Sequence, residues 1–283
     1  MFNTKMDVEA TPDRVFALAQ LIDSGKGAYT RDDLREMMEP KELEGNSSRF
    51  SNFFRVLKEL GIAEESDAAY SISEAFKGHV GNFDDFRRKI NSKLSEYSDG
   101  PFYLLTKVYL QKFPEIIKDM KGSIRLTNND VRLALDEAYQ QEQKLQGITP
   151  APLDATQIRA WRFWGSALGF GYGIDKEGTI FLADPAEYFL DLLKIKGVTS
   201  GMELSVSQLI EKLSPDIDLL MTAEQRANRQ IPYVFSKAIS ALPEDVFRKT
   251  NILDTESWTL NLDEGETEQV SHITVGDLER GAG

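Results

Sequence analysis

Along this chain, stretches with apolar residues at helical spacing are repeatedly followed by stretches in which apolar and polar residues alternate, as in a strand. Between Phe50 and Leu60 the apolar residues are spaced three and four apart, which predicts a helix with one aromatic face. Gly61 ends this helix, because glycine readily adopts the positive φ of a residue that follows a helix. Residues 62–63 start an apolar strand, and in 70–73 apolar and polar residues alternate as in a strand. A helix followed by a β-hairpin is therefore predicted.

Two further helices precede this stretch. Thr11 and Pro12 are typical of the N-cap and first turn of a helix. Thr30 and Asp33 have the spacing of a capping box for a second helix. Three helices followed by a hairpin predict a winged helix-turn-helix in residues 1–75.

The same order of elements is predicted twice more. A helix over 156–168 ends in Leu-Gly-Phe, as the first aromatic helix ends in Leu-Gly-Ile, and 179–184 follows as the return strand. In a fainter third copy, 230–242 is the helix, 257–264 is a strand and 251–253 is its candidate partner strand. This similarity indicates an internal repeat of fold.

The predicted fold class is mainly α with small β-wings, as tandem winged helix-turn-helix domains joined by a helical connector. In the connector, Pro114 is expected to open a separate short helix. His272–Val275, in the acidic final stretch, is a candidate strand. The predicted units are winged helix 1 in 1–75, the connector in 76–122, winged-helix-like domains in 123–200 and 201–264, and an acidic, flexible tail in 265–283.

The amino-acid composition limits the cellular compartment and the kinds of site that we expect. The 283 residues include no cysteine, which excludes disulfides, thiolate metal sites and cysteine nucleophiles and fits a reducing cytoplasm. No apolar run approaches the ~20 residues that a membrane helix needs, and the N-terminus lacks a signal-peptide pattern. We expect a cytoplasmic protein without membrane contact.

Catalytic motifs are missing. The sequence contains no Walker A motif, no GxGxxG after a strand and no GxSxG elbow, and the glycines of 168–173 fit the start of a hairpin better than a phosphate loop. With only His79 and His272, a zinc site is not expected. Paired acids such as Asp32 and Asp33 fall in helix first turns, where they stabilise the helix. We expect no enzyme activity, no cofactor and no metal, although a site made only of carboxylates stays open.

The polar sides of the three predicted second helices are the remaining candidates. In a DNA-binding helix-turn-helix such positions enter the major groove, where Arg reads guanine and Asn reads adenine. Solvent exposure alone also explains polar residues there. Basic connector residues such as Arg87 and Arg88 are candidates to contact phosphates. The candidate contacts to DNA or to a partner are Ser48, Arg49, Asn52, Arg55, Arg159, Arg162, Phe163, Arg229, Tyr233 and Lys237.

The charge does not favour simple nucleic-acid binding. The net charge is −13, and residues 251–283, with one basic and eight acidic residues, contribute −7 of it. A basic surface on the remaining chain stays open, but the acidic residues of 64–67 would repel phosphates. An outward Phe163 fits a protein interface better than a base contact.

The stretches ATPDRVFALAQLI, TRDDLREMMEP and FSNFFRVLKELGIAEE resemble the N-terminal winged helix of DpdG-type proteins. These proteins belong to prokaryotic defence islands linked to DNA modification. The resemblance covers roughly the first 75 residues. It implies a non-enzymatic component of an antiviral defence or DNA-modification assembly, and it carries over no site residue.

Two hypotheses follow. In the first, the protein binds double-stranded DNA through the second helices of its units, as a component of a defence or DNA-related complex. In the alternative, it is an adaptor that uses winged helices to hold partner proteins without contacting DNA. Both include a protein partner, and both allow an oligomer.

Overall fold

The computed structural model describes residues 1–40, 48–118, 129–174, 180–253, 255–262 and 265–279, with the side chains of Ser48 and of 113–118 outside that description. Over these ranges the chain is mainly helical, with small sheets. The predicted class, mainly α with small β elements, is confirmed at this level.

The first unit is a set of helices followed by the predicted hairpin. Its third strand lies between the other two and is antiparallel to both. Asp67 and Ala68, at the hairpin tip, have positive φ angles of 50° and 64°. The elements are α1 (Pro12–Gly25), β1 (Tyr29–Thr30), α2 (Arg31–Met38), α3 (Ser48–Glu59), β2 (Ala63–Ser66) and β3 (Ala69–Ile72).

Local signals explain where α1 and α2 begin. The Thr30 hydroxyl accepts a hydrogen bond from the Asp33 amide, and the Asp33 carboxylate accepts one from the Thr30 amide, so the predicted capping box is confirmed. Thr11 has the extended backbone of an N-cap, but its side chain makes no capping hydrogen bond. Pro12, at the first helical position, fits the start of α1 without it.

The connector is helical, as predicted, and a second hairpin follows it. The predicted break at Pro114 is wrong, because one helix runs through this residue. A proline removes one backbone hydrogen bond from a helix and does not have to end it. The elements are α4 (Phe83–Asn91), a 3₁₀ turn (Leu94–Tyr97), α5 (Pro101–Lys118), α6 (Asn129–Leu145), α7 (Ala155–Ala167), β4 (Gly171–Gly173), β5 (Phe181–Ala183) and α8 (Ala186–Ile195).

The third unit repeats the strand order of the first. Its last strand, β11 (His272–Val275), lies between β6 (Glu203–Ser205) and β8 (Phe247–Thr250) and is antiparallel to both, as β3 lies between β1 and β2. The elements are β6 (Glu203–Ser205), α9 (Val206–Leu213), a 3₁₀ turn (Asp216–Leu219), α10 (Ala223–Ala227), β7 (Gln230–Ile231), α11 (Tyr233–Ala241), β8 (Phe247–Thr250), β9 (Trp258–Asn261), β10 (Thr267–Val270) and β11 (His272–Val275).

The strand pairing in this unit corrects the sequence-based prediction. Residues 251–253 are exposed and form no strand; β9 pairs instead with β10 and with β7. The flexible tail expected from residue 265 is also wrong over 267–275, which forms β10 and the predicted strand β11. Val270, Ile273 and Val275 are buried there. The acidic residues around these strands lower the average hydropathy of the stretch, which is why a flexible tail was expected.

The units share an apolar core. The Phe2 ring lies 5.1 Å from that of Phe102 and 5.3 Å from that of Trp164, which joins the N-terminus to α5 and α7. Phe189 of α8 contacts Phe235 of α11 and Phe247 of β8, with ring centroids 5.1 and 5.3 Å away. The predicted units therefore pack together around common aromatic contacts.

A buried polar cluster joins the connector to α8. Nε of Arg87 donates to Asp191 at 2.9 Å, and the Asn91 side-chain amide donates to Asp191 at 2.9 Å and to the Leu168 carbonyl at 3.2 Å. Burial raises the pKa of the Asp191 carboxyl. Arg87 is only 6 % exposed, so the expectation that it contacts phosphates is wrong.

We predict that Asp191→Asn lowers the free energy of unfolding by about 3 kcal/mol, because it leaves the buried Arg87 guanidinium without its most buried carboxylate partner. Urea unfolding measures this loss. The matched control is Glu74→Gln, which removes an exposed ion pair with Lys77 and should cost less than about 0.5 kcal/mol. Equal effects of the two substitutions would contradict a stabilising role for the cluster.

Candidate nucleic-acid and partner interface

Helix α3 has three different faces. Its apolar face is buried in the core, as predicted. The side that carries the candidates Asn52 and Arg55 also carries Glu59 and is only partly exposed. A third side carries the exposed Ser51 and Lys58. The buried residues of α3 are Phe50, Phe53, Phe54, Val56 and Leu57.

Residues 1–10, here called the N-terminal segment, lie against the partly exposed face of α3. The Glu59 carboxylate accepts hydrogen bonds from the amino group of Met1 at 2.5 Å, from the Phe2 amide at 3.1 Å and from the Thr4 hydroxyl. Nη2 of Arg55 donates to the carbonyl of Lys5 at 3.3 Å. Arg55 thus contacts the protein itself, and the expectation that it faces open solvent is wrong.

The other side of the N-terminal segment contacts α7. Nε1 of Trp164 donates to the Ala10 carbonyl at 2.6 Å, and Nζ of Lys5 lies 2.9 Å from the Asp154 carboxylate at the start of α7. A Cβ atom on Gly100 would lie 1.6 Å from the Phe2 carbonyl oxygen, so this approach requires glycine. The segment therefore fills the space between α3 and α7.

Glu59 is the electrostatic centre of this contact. Burial by itself raises the pKa of Glu59, but hydrogen bonds from the Met1 amino group and from Thr4 outweigh it, so the pKa lies below its ordinary value of 4.5. Burial lowers the pKa of the Met1 amino group to about 6. The carboxylate form of Glu59 is therefore the one that holds the segment.

The remaining candidates in the first unit lie at the start of α3. Ser48 is its first residue, with a side chain outside the described atoms. Arg49 is exposed, and its Nε lies 3.7 Å from the Glu9 carboxylate of the N-terminal segment. Arg49 and the half-buried Asn52 thus flank the same segment, and Arg49 has an acidic neighbour that weakens its attraction for phosphates.

The outward face of α7 is the most open of the three candidate faces. The Arg159 guanidinium lies 5.8 Å from the ring centroid of Phe163, and both residues are exposed, Phe163 by 37 %. Arg162 is half-buried. An exposed phenylalanine beside an arginine fits contact with a partner surface.

The hairpin after α7 adds apolar residues that the sequence analysis missed. Tyr172 and Ile174 are 49 % and 54 % exposed. Tyr172 pairs with Leu182 across the hairpin, so their side chains share one face, while Gly171 and Phe181 are buried on the other. The alternation of the strands was the available signal, but glycines at 171 and 173 obscured it.

Helix α11 does not present an open face of the predicted kind. Ser236, between the candidates Tyr233 and Lys237, is fully buried; its hydroxyl donates to the Ile231 carbonyl and accepts from the Asn261 backbone amide. Tyr233 is half-buried, and the exposed Lys237 ammonium lies 6.0 Å from its ring centroid. Arg229 is exposed and forms an ion pair with Glu256. Only a narrow strip of α11 reaches solvent.

Neither a metal-binding group nor a membrane helix is found in the described part of the chain. Within it, no three His, Asp or Glu side chains are placed to hold a metal ion. Among the same residues, no helix combines the length and apolarity needed to cross a membrane.

Comparison with protein-family models, with curated proteins and with solved structures finds no match for this chain.

We predict that Glu59→Gln lowers the free energy of unfolding at neutral pH by about 2 kcal/mol, because buried hydrogen bonds to a charged acceptor are lost. The pKa of Glu59 is lowered in the folded state, so its contribution is fully present above the ordinary value of 4.5 and is lost as the pH falls through the folded-state value. Urea unfolding between neutral and acidic pH should show the two proteins converging.

The matched control for this pH series is the exposed Glu137→Gln, which should follow the wild type at every pH. A difference between wild type and Glu59→Gln that stays constant with pH would exclude the proposed charge-dependent contact.

Proposed function

We propose that the protein is a non-enzymatic component of a prokaryotic antiviral defence or DNA-related complex, built from tandem winged helix-turn-helix units, and that it binds duplex DNA. The supporting observation is the connectivity of the first unit: helix, short strand, two helices and a hairpin whose return strand completes a three-stranded sheet. The third unit has the same strand order, with a second hairpin inserted between β8 and β11.

The first unit is the favoured DNA-binding unit. In a helix-turn-helix, the second helix approaches the groove and the first lies across the backbone. In this proposal α3 is the second helix and α2 the first, and the exposed side of α3 carries polar and basic residues. In contrast, α11 is buried on most sides. A fold alone does not determine function, so the proposal rests on the residues that α2 and α3 expose.

We predict that the full chain binds duplex DNA at low salt and that the affinity falls steeply as salt rises, because phosphate contacts release counterions. Fluorescence anisotropy with a labelled duplex across a salt series measures this. The same titration with a labelled, uncharged polymer in place of the duplex controls for non-specific adsorption. Absence of binding at the lowest salt would exclude this function.

The second candidate function is a protein–protein adaptor, and a separate observation favours it. The second unit exposes Phe163, Tyr172 and Ile174, all large apolar side chains, close to the exposed Arg159 in sequence. Such residues stabilise protein interfaces when they are buried against a partner. We place this adaptor in the cytoplasm, with its partners encoded by neighbouring genes, and it is compatible with an oligomer.

We predict that the double substitution Tyr172→Ser and Ile174→Ser weakens binding to the co-purifying product of a neighbouring gene by about thirtyfold or more, since each buried apolar side chain contributes about 1 kcal/mol or more. The matched control is Leu253→Ser, at a side chain 88 % exposed in the third unit. A stable complex with the double variant, shown by size-exclusion chromatography, would remove this surface from the adaptor hypothesis.

A further inference from the structure

The first unit has a cationic surface on the side of α3 that the N-terminal segment leaves open. Nη2 of Arg31, the first residue of α2, donates to the Ser51 hydroxyl at 3.4 Å, and its guanidinium lies 5.3 Å from the Phe54 ring centroid. The Lys58 ammonium lies 5.8 Å from the ring centroid of Tyr70. We call Arg31, Ser51 and Lys58 the Arg31–Lys58 face.

The aromatic pair beneath these cations makes them parts of one surface. The rings of Phe54 and Tyr70 meet edge to face, with centroids 5.0 Å apart. Both residues are at least 95 % buried, so the positions of the two rings beneath the cations are fixed by packing. A cation–π contact with an aromatic ring limits the conformations of Arg31 and of Lys58 and keeps both charges at the surface.

The cations of this face are free to exchange partners. Within the described ranges, Arg31 forms no ion pair with a carboxylate, and Lys58 pairs with Glu65 at 3.5 Å. The side chains of Lys58 and Glu65 are 49 % and 48 % exposed. An exposed ion pair of this kind contributes little free energy, so Lys58 can turn to a phosphate at small cost. The Glu65 carboxylate also accepts a hydrogen bond from the Tyr70 hydroxyl at 2.6 Å, so it stays beside this face and competes with phosphate.

Base reading by the side of α3 that carries Asn52 and Arg55 is obstructed by the protein itself. The major groove of B-DNA is about 12 Å wide and admits one helix. Reading bases with Asn52 and Arg55 would require the N-terminal segment to enter the groove together with α3. Phe2 and Met6 of the segment are 0 % and 1 % exposed, so the segment is anchored in the core.

We infer that the first unit holds duplex DNA by its phosphates, through Arg31, Ser51 and Lys58, and that α3 does not read the base sequence. This inference rests on the proposed DNA binding and specifies its site and its lack of sequence preference. The guanidinium and ammonium supply charge-assisted hydrogen bonds to phosphate oxygens, and the Ser51 hydroxyl supplies a neutral donor. The hairpin carboxylate Glu65 competes with phosphate for Lys58.

Salt-dependent duplex binding of four proteins tests the site. We expect Arg31→Gln with Lys58→Gln to weaken binding at low salt by about tenfold or more and to reduce the salt slope by about 1.8, which corresponds to two lost phosphate contacts. Glu65→Gln should strengthen binding several-fold, because it removes the competing carboxylate. The matched control replaces Lys212 and Arg248, exposed cations of the third unit, by Gln and should bind as wild type.

Selection of bound duplexes from a random-sequence pool tests the lack of base reading. We expect no enriched sequence, and unchanged affinity for Asn52→Ala. An enriched sequence that Asn52→Ala or Arg55→Ala abolishes would overturn the inference. So would wild-type affinity of the Arg31→Gln, Lys58→Gln variant, with circular dichroism showing that it is folded. If the wild type itself binds no duplex, the proposed function fails and this inference fails with it.

Discussion

The docking of the N-terminal segment between α3 and α7 is the contact on which the candidate surfaces depend. Phe2 packs against aromatic residues of α5 and α7, and Glu59 of α3 accepts hydrogen bonds from the segment's backbone and side chains. These contacts combine apolar burial with a charged acceptor that is only 10 % exposed. The segment thereby removes one face of α3 from solvent and leaves a different face open.

Shared packing makes the units parts of one structure. Aromatic contacts join α8 to the third unit, and the Arg87–Asp191 pair joins the connector to α8. Burying an ion pair carries a large desolvation cost, which a hydrogen bond from Asn91 to Asp191 offsets in part. The helices that lie inside this arrangement, α11 above all, have little surface left for a partner.

The distribution of charge narrows the surfaces that can bind an anion. Many basic residues lie beside carboxylates, as Arg49 lies beside Glu9 and Arg229 beside Glu256. The Arg31–Lys58 face follows this pattern in part: Lys58 lies beside Glu65, whereas no carboxylate within the described residues forms an ion pair with Arg31. The second unit differs in another way, because its exposed side chains are apolar and aromatic. The surfaces proposed for duplex DNA and for a protein partner are therefore separate.

The sequence by itself determined what depends on neighbours in the chain. The spacing of Phe50 to Leu60, the Thr30–Asp33 capping box and the alternation in His272–Val275 predicted elements that the structure confirms. Only the tertiary structure decided which faces are open. The pairing of β11 with β6 and β8, and the contact of Arg55 with Lys5, join residues that are far apart in sequence. Helical periodicity separates apolar from polar faces, but it cannot show which polar face another segment will cover.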